Sequence, residues 1–163
     1  RSTLDRSSAA SDVYKRQEVF PVAKICIGNH DAIVRRKAFD SGISKVWIRD
    51  FDEVLGVEGW DFREHHHIGD VLYVHGTGTS GRNAAANKAL QFGCSVVQGH
   101  IHTEASVIYN GKHWGMQVGC GVDRKSYAMA YAKHFAKSYK LSCGVVLNEG
   151  KLPLVIPYLE SGA

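Results

Sequence analysis

The feature that most limits how this 163-residue chain can fold is a pattern that occurs three times: a short β-branched run closes on a cluster of polar residues. VAKICI (Val22 to Ile27) leads into Gly28, Asn29, His30 and Asp31. DVLYV (Asp70 to Val74) leads into His75 and Gly76, and CSVVQ (Cys94 to Gln98) leads into Gly99, His100, Ile101 and His102. Helical stretches are expected between them, at Ala32 to Phe39 and at Arg82 to Phe92, the second with Gly93 placed to cap it. Strand, polar loop, helix is the rhythm of an α/β domain, whose sites collect beyond the C-terminal ends of its strands. Three clusters at three strand ends can therefore meet in one cavity.

The residue types in those clusters point to metal chemistry. Residues i and i+2 of an extended segment face the same side, so His100 and His102 are expected to aim both imidazoles into one cavity while Ile101 faces away. That arrangement serves two adjacent ions, one histidine each. Gly28, Gly76 and Gly99 let the backbone turn sharply and approach an ion closely. Imidazole, amide and carboxylate donors suit Mn, Fe, Zn or Ni better than a thiolate zinc site would. The four cysteines, Cys26, Cys94, Cys120 and Cys143, show no CxxC spacing, and they are expected to be buried free thiols of a reducing, cytoplasmic compartment.

The remaining composition narrows the class. With 44% hydrophobic residues the chain can form one globular domain with a core. It has no run near the roughly 20 apolar residues that span a bilayer, and no apolar signal block, so no membrane partner is expected. The net charge of +4 does not by itself indicate nucleic acid.

GNHD, a later His-Gly and then GHxH resemble, in order, the third, fourth and fifth signature blocks of the calcineurin-like metallophosphoesterases. The similarity runs from about Val19 to Leu159, and DVLYVHG, VVQGHIHTEA and WGMQVGCGVD resemble the phage and prophage members. The resemblance implies an α/β fold, a two-sheet sandwich flanked by helices. It implies hydrolysis of phosphomonoesters or phosphodiesters at a centre of two divalent ions. Carried over, Asn29, His75 and His100 bind one ion and His102 the other, while His30 faces the substrate phosphate and Asp31 orients it. Two cations acidify a bridging water and clamp the phosphoryl oxygens, with His30 assisting the leaving oxygen. Nucleotide, nucleic acid and phosphoprotein substrates are all compatible.

One departure from the family pattern is large. Its first two blocks, Asp-x-His and Gly-Asp, supply three ligands ahead of GNHD, yet no Asp-x-His precedes Gly28 and the acids there are only Asp5, Asp12 and Glu18. The stretch SSAASDVYKRQ (Ser7 to Gln17) resembles the in-frame translation of a sequencing-library adapter. Residues 1–17 are therefore expected to be a non-native, disordered tail, and 18–163 a partial domain lacking its first strands. The tail carries Arg1, Arg6, Lys15 and Arg16 against Asp5 and Asp12, half of the net charge. On this reading the parent protein is an active phosphoesterase, and the chain as written is inactive, with one ion or none. The alternatives are a non-catalytic metal-binding fragment and a nucleic-acid-binding or nuclease protein.

Other stretches receive plainer readings. REHHHIGD (Arg63 to Asp70) is expected as an exposed loop or strand start, because adjacent histidines splay apart, and its Gly69-Asp70 comes too late to be the missing block. Tyr127, Tyr131, Phe135 and Tyr139 recur at every fourth position, with Lys133 and Lys137 between them and Lys140 after the last; the stripe is expected to be the buried face of a helix, or else a stacking surface for single strands. In the loop after His75, Arg82 is the first choice for a phosphate contact outside the metal ligands. EASVIYNGKHWGMQVG is expected as a hairpin turning at Asn110-Gly111, and CGVVLNEGKLPLVIPYL as a second hairpin closing the sheet. His113 and His134 read as structural or surface residues.

Overall fold

The computed structural model describes residues 15–121 and 139–158, and the chain is a mixed α/β protein. It divides between Glu64 and His65 into two compact units. The physical reason lies in the pairing. β1 (Ala23–Cys26) finds its partner in β2 (Trp60–Arg63), and the next strand opens a different sheet.

In the first unit β1 and β2 pair in parallel, from Ala23 opposite Trp60 to Cys26 opposite Arg63. Parallel neighbours need a long crossover, and here it contains α1 (Ile33–Asp40), a 3-10 turn at Lys45–Trp47 and α2 (Phe51–Leu55). Arg35 ties the crossover together: its guanidinium pairs with Asp50 at 2.8 Å and lies 4.5 Å above the Phe51 ring, which stacks on Phe62. Residues 15–19 are helical, so the end of the stretch read as a tail has regular structure. Its Gln17 amide donates to the Glu58 carbonyl at 3.2 Å.

The second unit is built on a five-stranded mixed sheet in the order β3-β4-β5-β7-β6. β3 (His65–Ile68) and β4 (Val71–Val74) form a hairpin whose two-residue loop is Gly69-Asp70, which gives that dipeptide a turn role. β4, β5 (Ser95–Gln98) and β7 (His113–Val118) run parallel. β6 (Ala105–Asn110) pairs antiparallel with β7, Asn110 opposite His113, so the hairpin loop is Gly111-Lys112, one residue beyond the expected turn. Gly111 takes the positive φ of +61° that this tight loop needs.

Alternation along the strands creates two cores. Val71, Trp114 and Met116 point to one face with Tyr73, Val97, Val107 and Val118; Leu72 and Val96 point to the other with Val74. α3 (Ala84–Phe92) covers the second face with Ala84, Ala85, Ala86 and Ala89, and it ends at Gly93 in the left-handed conformation, as its sequence requires. The small residues bring helix and strand backbones close together, and a Cβ on Gly115 of β7 would run into the backbone of Ala85 and Ala86.

The last hairpin, β8 (Ser142–Leu147) with β9 (Leu152–Pro157), does not extend the main sheet as expected. It forms a separate two-stranded sheet, and its Val146 and Val155 pack on the Val71–Trp114–Met116 core. Trp114 Nε1–H donates to the Gly150 carbonyl in its turn at 3.0 Å. The cysteines also depart from expectation: Cys120 is buried, Cys26 and Cys94 are partly exposed and Cys143 is exposed, all four as free thiols. No helix among the described residues is long and apolar enough to cross a membrane.

Because α3 sits this close to β7, Gly115→Ala is expected to destabilise the second unit by about 3 kcal/mol, the upper part of the range for overpacking. Urea denaturation followed by Trp114 fluorescence measures it, and a variant as stable as the parent would contradict the close approach.

Candidate metal centre

The register of the parallel strands decides which polar residues meet. Val74 lies opposite Gln98, so the chain leaving β4 at His75 and the chain leaving β5 at Gly99 emerge side by side. Gly99 N–H donates to the Val74 carbonyl at 3.4 Å and carries the contact one residue past the strand ends. Just beyond, His75 Nε2 and His100 Nδ1 approach to 3.2 Å, with ring centroids 5.0 Å apart and planes at 67°.

That geometry suits a shared ion. Two imidazole nitrogens each about 2.0–2.1 Å from one tetrahedral ion would lie roughly 3.3 Å apart, close to the observed separation. It equally suits one N–H···N hydrogen bond between two neutral rings. Both rings are partly buried.

The backbone at His100 is not the extended segment that was expected. His100 has φ +65°, and Ile101 N–H donates to the Gly99 carbonyl at 2.7 Å, which together mark a three-residue γ-turn of the rarer, left-handed kind. Such a turn is strained for an L-residue, at a cost on the order of 1–3 kcal/mol, and such strain collects at functional sites. Glu104 N–H then donates to the Ile101 carbonyl at 3.3 Å, so His102 lies within a turn and the i, i+2 argument does not apply to it.

His102 packs its ring against Tyr139, centroids 5.8 Å apart, and its carbonyl accepts from Lys140 N–H at 2.8 Å. Among the described residues no group of three or more His, Cys, Asp or Glu side chains gathers round a common point, so His102 does not complete a three-ligand set with His75 and His100. Of the three histidines expected as ligands in the second unit, His75 and His100 are in direct contact.

GNHD belongs to the first unit. Asn29 is partly buried and His30 and Asp31 are exposed. Asp31 Oδ2 accepts from Gly28 N–H at 2.8 Å, and the Gly28 carbonyl accepts from Ala32 N–H at 3.0 Å, which folds the cluster into a turn just before α1. Here Asp31 shapes the backbone beside His30. Arg82 is exposed and pairs with Glu104 at 3.2 Å, so a phosphate reaching it would compete with that carboxylate.

The triple histidine is a strand, with His66 buried and His65 and His67 on the exposed face, rings 6.0 Å apart. The aromatic and lysine stripe falls outside the described residues except for Tyr139 and Lys140. His134 is outside them too, while His113 is partly buried at the start of β7.

Sequence reasoning did not single out Gln98 and Gln117. Both are fully buried at the C-terminal half of their strands, and Gln98 Nε2 donates to Gln117 Oε1 at 3.2 Å. Gln98 Oε1 is buried with no hydrogen-bond partner among the described residues, a cost of about 1–3 kcal/mol where it is not offset. The available signal was an amide closing each of the apolar runs CSVVQ and WGMQ.

The chain has no match among protein-family models, curated proteins or solved structures.

The strain at His100 predicts a stability order for the metal-free protein. His100→Val, β-branched at a positive φ, should be about 2 kcal/mol less stable than His100→Gly, which meets no such penalty. Urea midpoints compare them, and equal midpoints would mean that the turn is not held as described.

Proposed function

We propose that the chain carries the metal centre of a calcineurin-like metallophosphoesterase, with the two-sheet sandwich of that family, and that its chemistry is metal-dependent hydrolysis of phosphoesters. The observation that carries this reading is the approach of His75 Nε2 to His100 Nδ1 at 3.2 Å, at the ends of paired parallel strands, with strained backbone at the second histidine.

In this proposal His75 and His100 hold one divalent ion, Mn, Fe, Zn or Ni. Asn29 and His102 keep the further ligand roles that the resemblance implies, His30 and Asp31 act at the phosphate, and Arg82 exchanges Glu104 for a phosphate oxygen. A bound ion would supply Lewis acidity toward phosphoryl oxygens and lower the pKa of water. The protein's own part is to hold two imidazoles in a fixed pair and to keep a guanidinium within reach of the substrate. Neither Asp-x-His nor Gly-Asp precedes Gly28 in this sequence, so a second ion would lack ligands that the resemblance implies for it.

Titration with zinc or manganese tests the reading. The parent chain should take up one ion, and His75→Ala and His100→Ala should each weaken uptake by more than the roughly 10–100-fold that changes outside the ligand shell produce. No uptake, or uptake unchanged in both variants, would overturn it. Metal-dependent hydrolysis of bis(p-nitrophenyl) phosphate, lost in the same variants, separates a phosphoesterase from a protein that only holds the ion.

A further inference from the structure

We infer that Gln98 and Gln117 are positioning residues for the loop that joins His75 to Arg82, and their role in a metal centre rests on the function proposed above. The two side chains lie on the face of the main sheet that α3 covers, on neighbouring parallel strands and in register with each other. Both are fully buried. Amides at such positions are costly unless their hydrogen bonds are made, and here both NH2 groups are fully used. Gln98 Nε2 donates to Thr79 Oγ1 at 3.0 Å and to Gln117 Oε1 at 3.2 Å. Gln117 Nε2 donates to the carbonyls of Gly81 at 3.1 Å and Arg82 at 3.3 Å.

The loop completes the relay. Thr79 Oγ1–H donates to the Gly76 carbonyl at 2.6 Å, so its one hydroxyl both accepts from Gln98 and closes the turn. Gly76 lies against the Gln98 amide, where a Cβ would overlap it. Residues 76, 79, 81 and 82 are therefore all held, directly or through Thr79, by two side chains. The direction of the relay is fixed as well. Turning the Gln117 amide over would set its oxygen against two carbonyls, and turning Gln98 would set oxygen against oxygen. Leucine or methionine would fill the same volume and leave the Gly81 and Arg82 carbonyls unbound. The pair therefore fixes where the chain leaves His75 and where it delivers Arg82.

The test uses the full chain and three variants: Gln98→Met, Gln117→Met and Thr79→Val. Thr79→Val removes the hydroxyl from a half-buried loop position and remains informative if a core variant fails to fold. Without metal, the imidazole nitrogen signals of His75 and His100 should shift or broaden. Amides of residues 76–82 should exchange at least tenfold faster, while Met116 and Trp114 signals stay in place. With cobalt as the probe, affinity should fall about 10–100-fold and the visible absorption should change. Folded variants with unchanged imidazole signals and loop exchange would overturn the inference, as would cobalt bound with the parent's affinity and spectrum. A parent chain that binds no cobalt would instead overturn the proposed metal centre, and the metal-free signals would still decide the role of the glutamines.

Discussion

The parallel pairing of β4 with β5, in the register that sets Val74 opposite Gln98, is the constraint on which the candidate centre depends. Parallel strands end on the same edge of a sheet, so the residues that follow them are neighbours without any long loop to bring them together. A slip of one residue would turn Leu72 and Val96 away from α3 and move His75 off His100. Burial of Leu72, Val96 and Ala89 on one face, and of Val71, Trp114 and Met116 on the other, therefore fixes the histidine pair as well as the fold.

Two kinds of order meet at this edge. Beneath it the core is apolar and closely packed, with the small residues of α3 drawn against Gly115. At its rim the packing gives way to buried amides, a histidine at positive φ and a Gln98 oxygen with no hydrogen-bond partner among the described residues. These features lower stability, and proteins keep them where the surrounding structure over-determines them. Buried amides gather within a few residues of His75 and His100, whereas positive φ is not confined to this edge, since Asn148 and Glu149 in the β8–β9 loop also adopt it.

Much of this was legible in the sequence. The runs ending at Val74 and Gln98, the helix stopped by Gly93, and the two later hairpins all follow from local period and turn residues. Local pattern has no term for the rest. The γ-turn at His100 arises because a chain leaving β5 is held at Gly99 by β4, which spacing alone does not reveal. The β8–β9 hairpin reads as one more strand pair, but the Trp114 contact with its turn and the packing of Val146 and Val155 make it a second layer. Gln98 and Gln117 were not singled out, since nothing in either run says that the other amide stands beside it. The division at Glu64 was likewise invisible, because it depends on which strands find each other.

In the proposed function His75 and His100 share one ion. Anomalous diffraction from crystals soaked with zinc tests it most directly. A peak is expected between His75 Nε2 and His100 Nδ1, about 2.0–2.1 Å from each. A zinc-soaked crystal with no peak there, and with the two rings still hydrogen-bonded to one another, would contradict it.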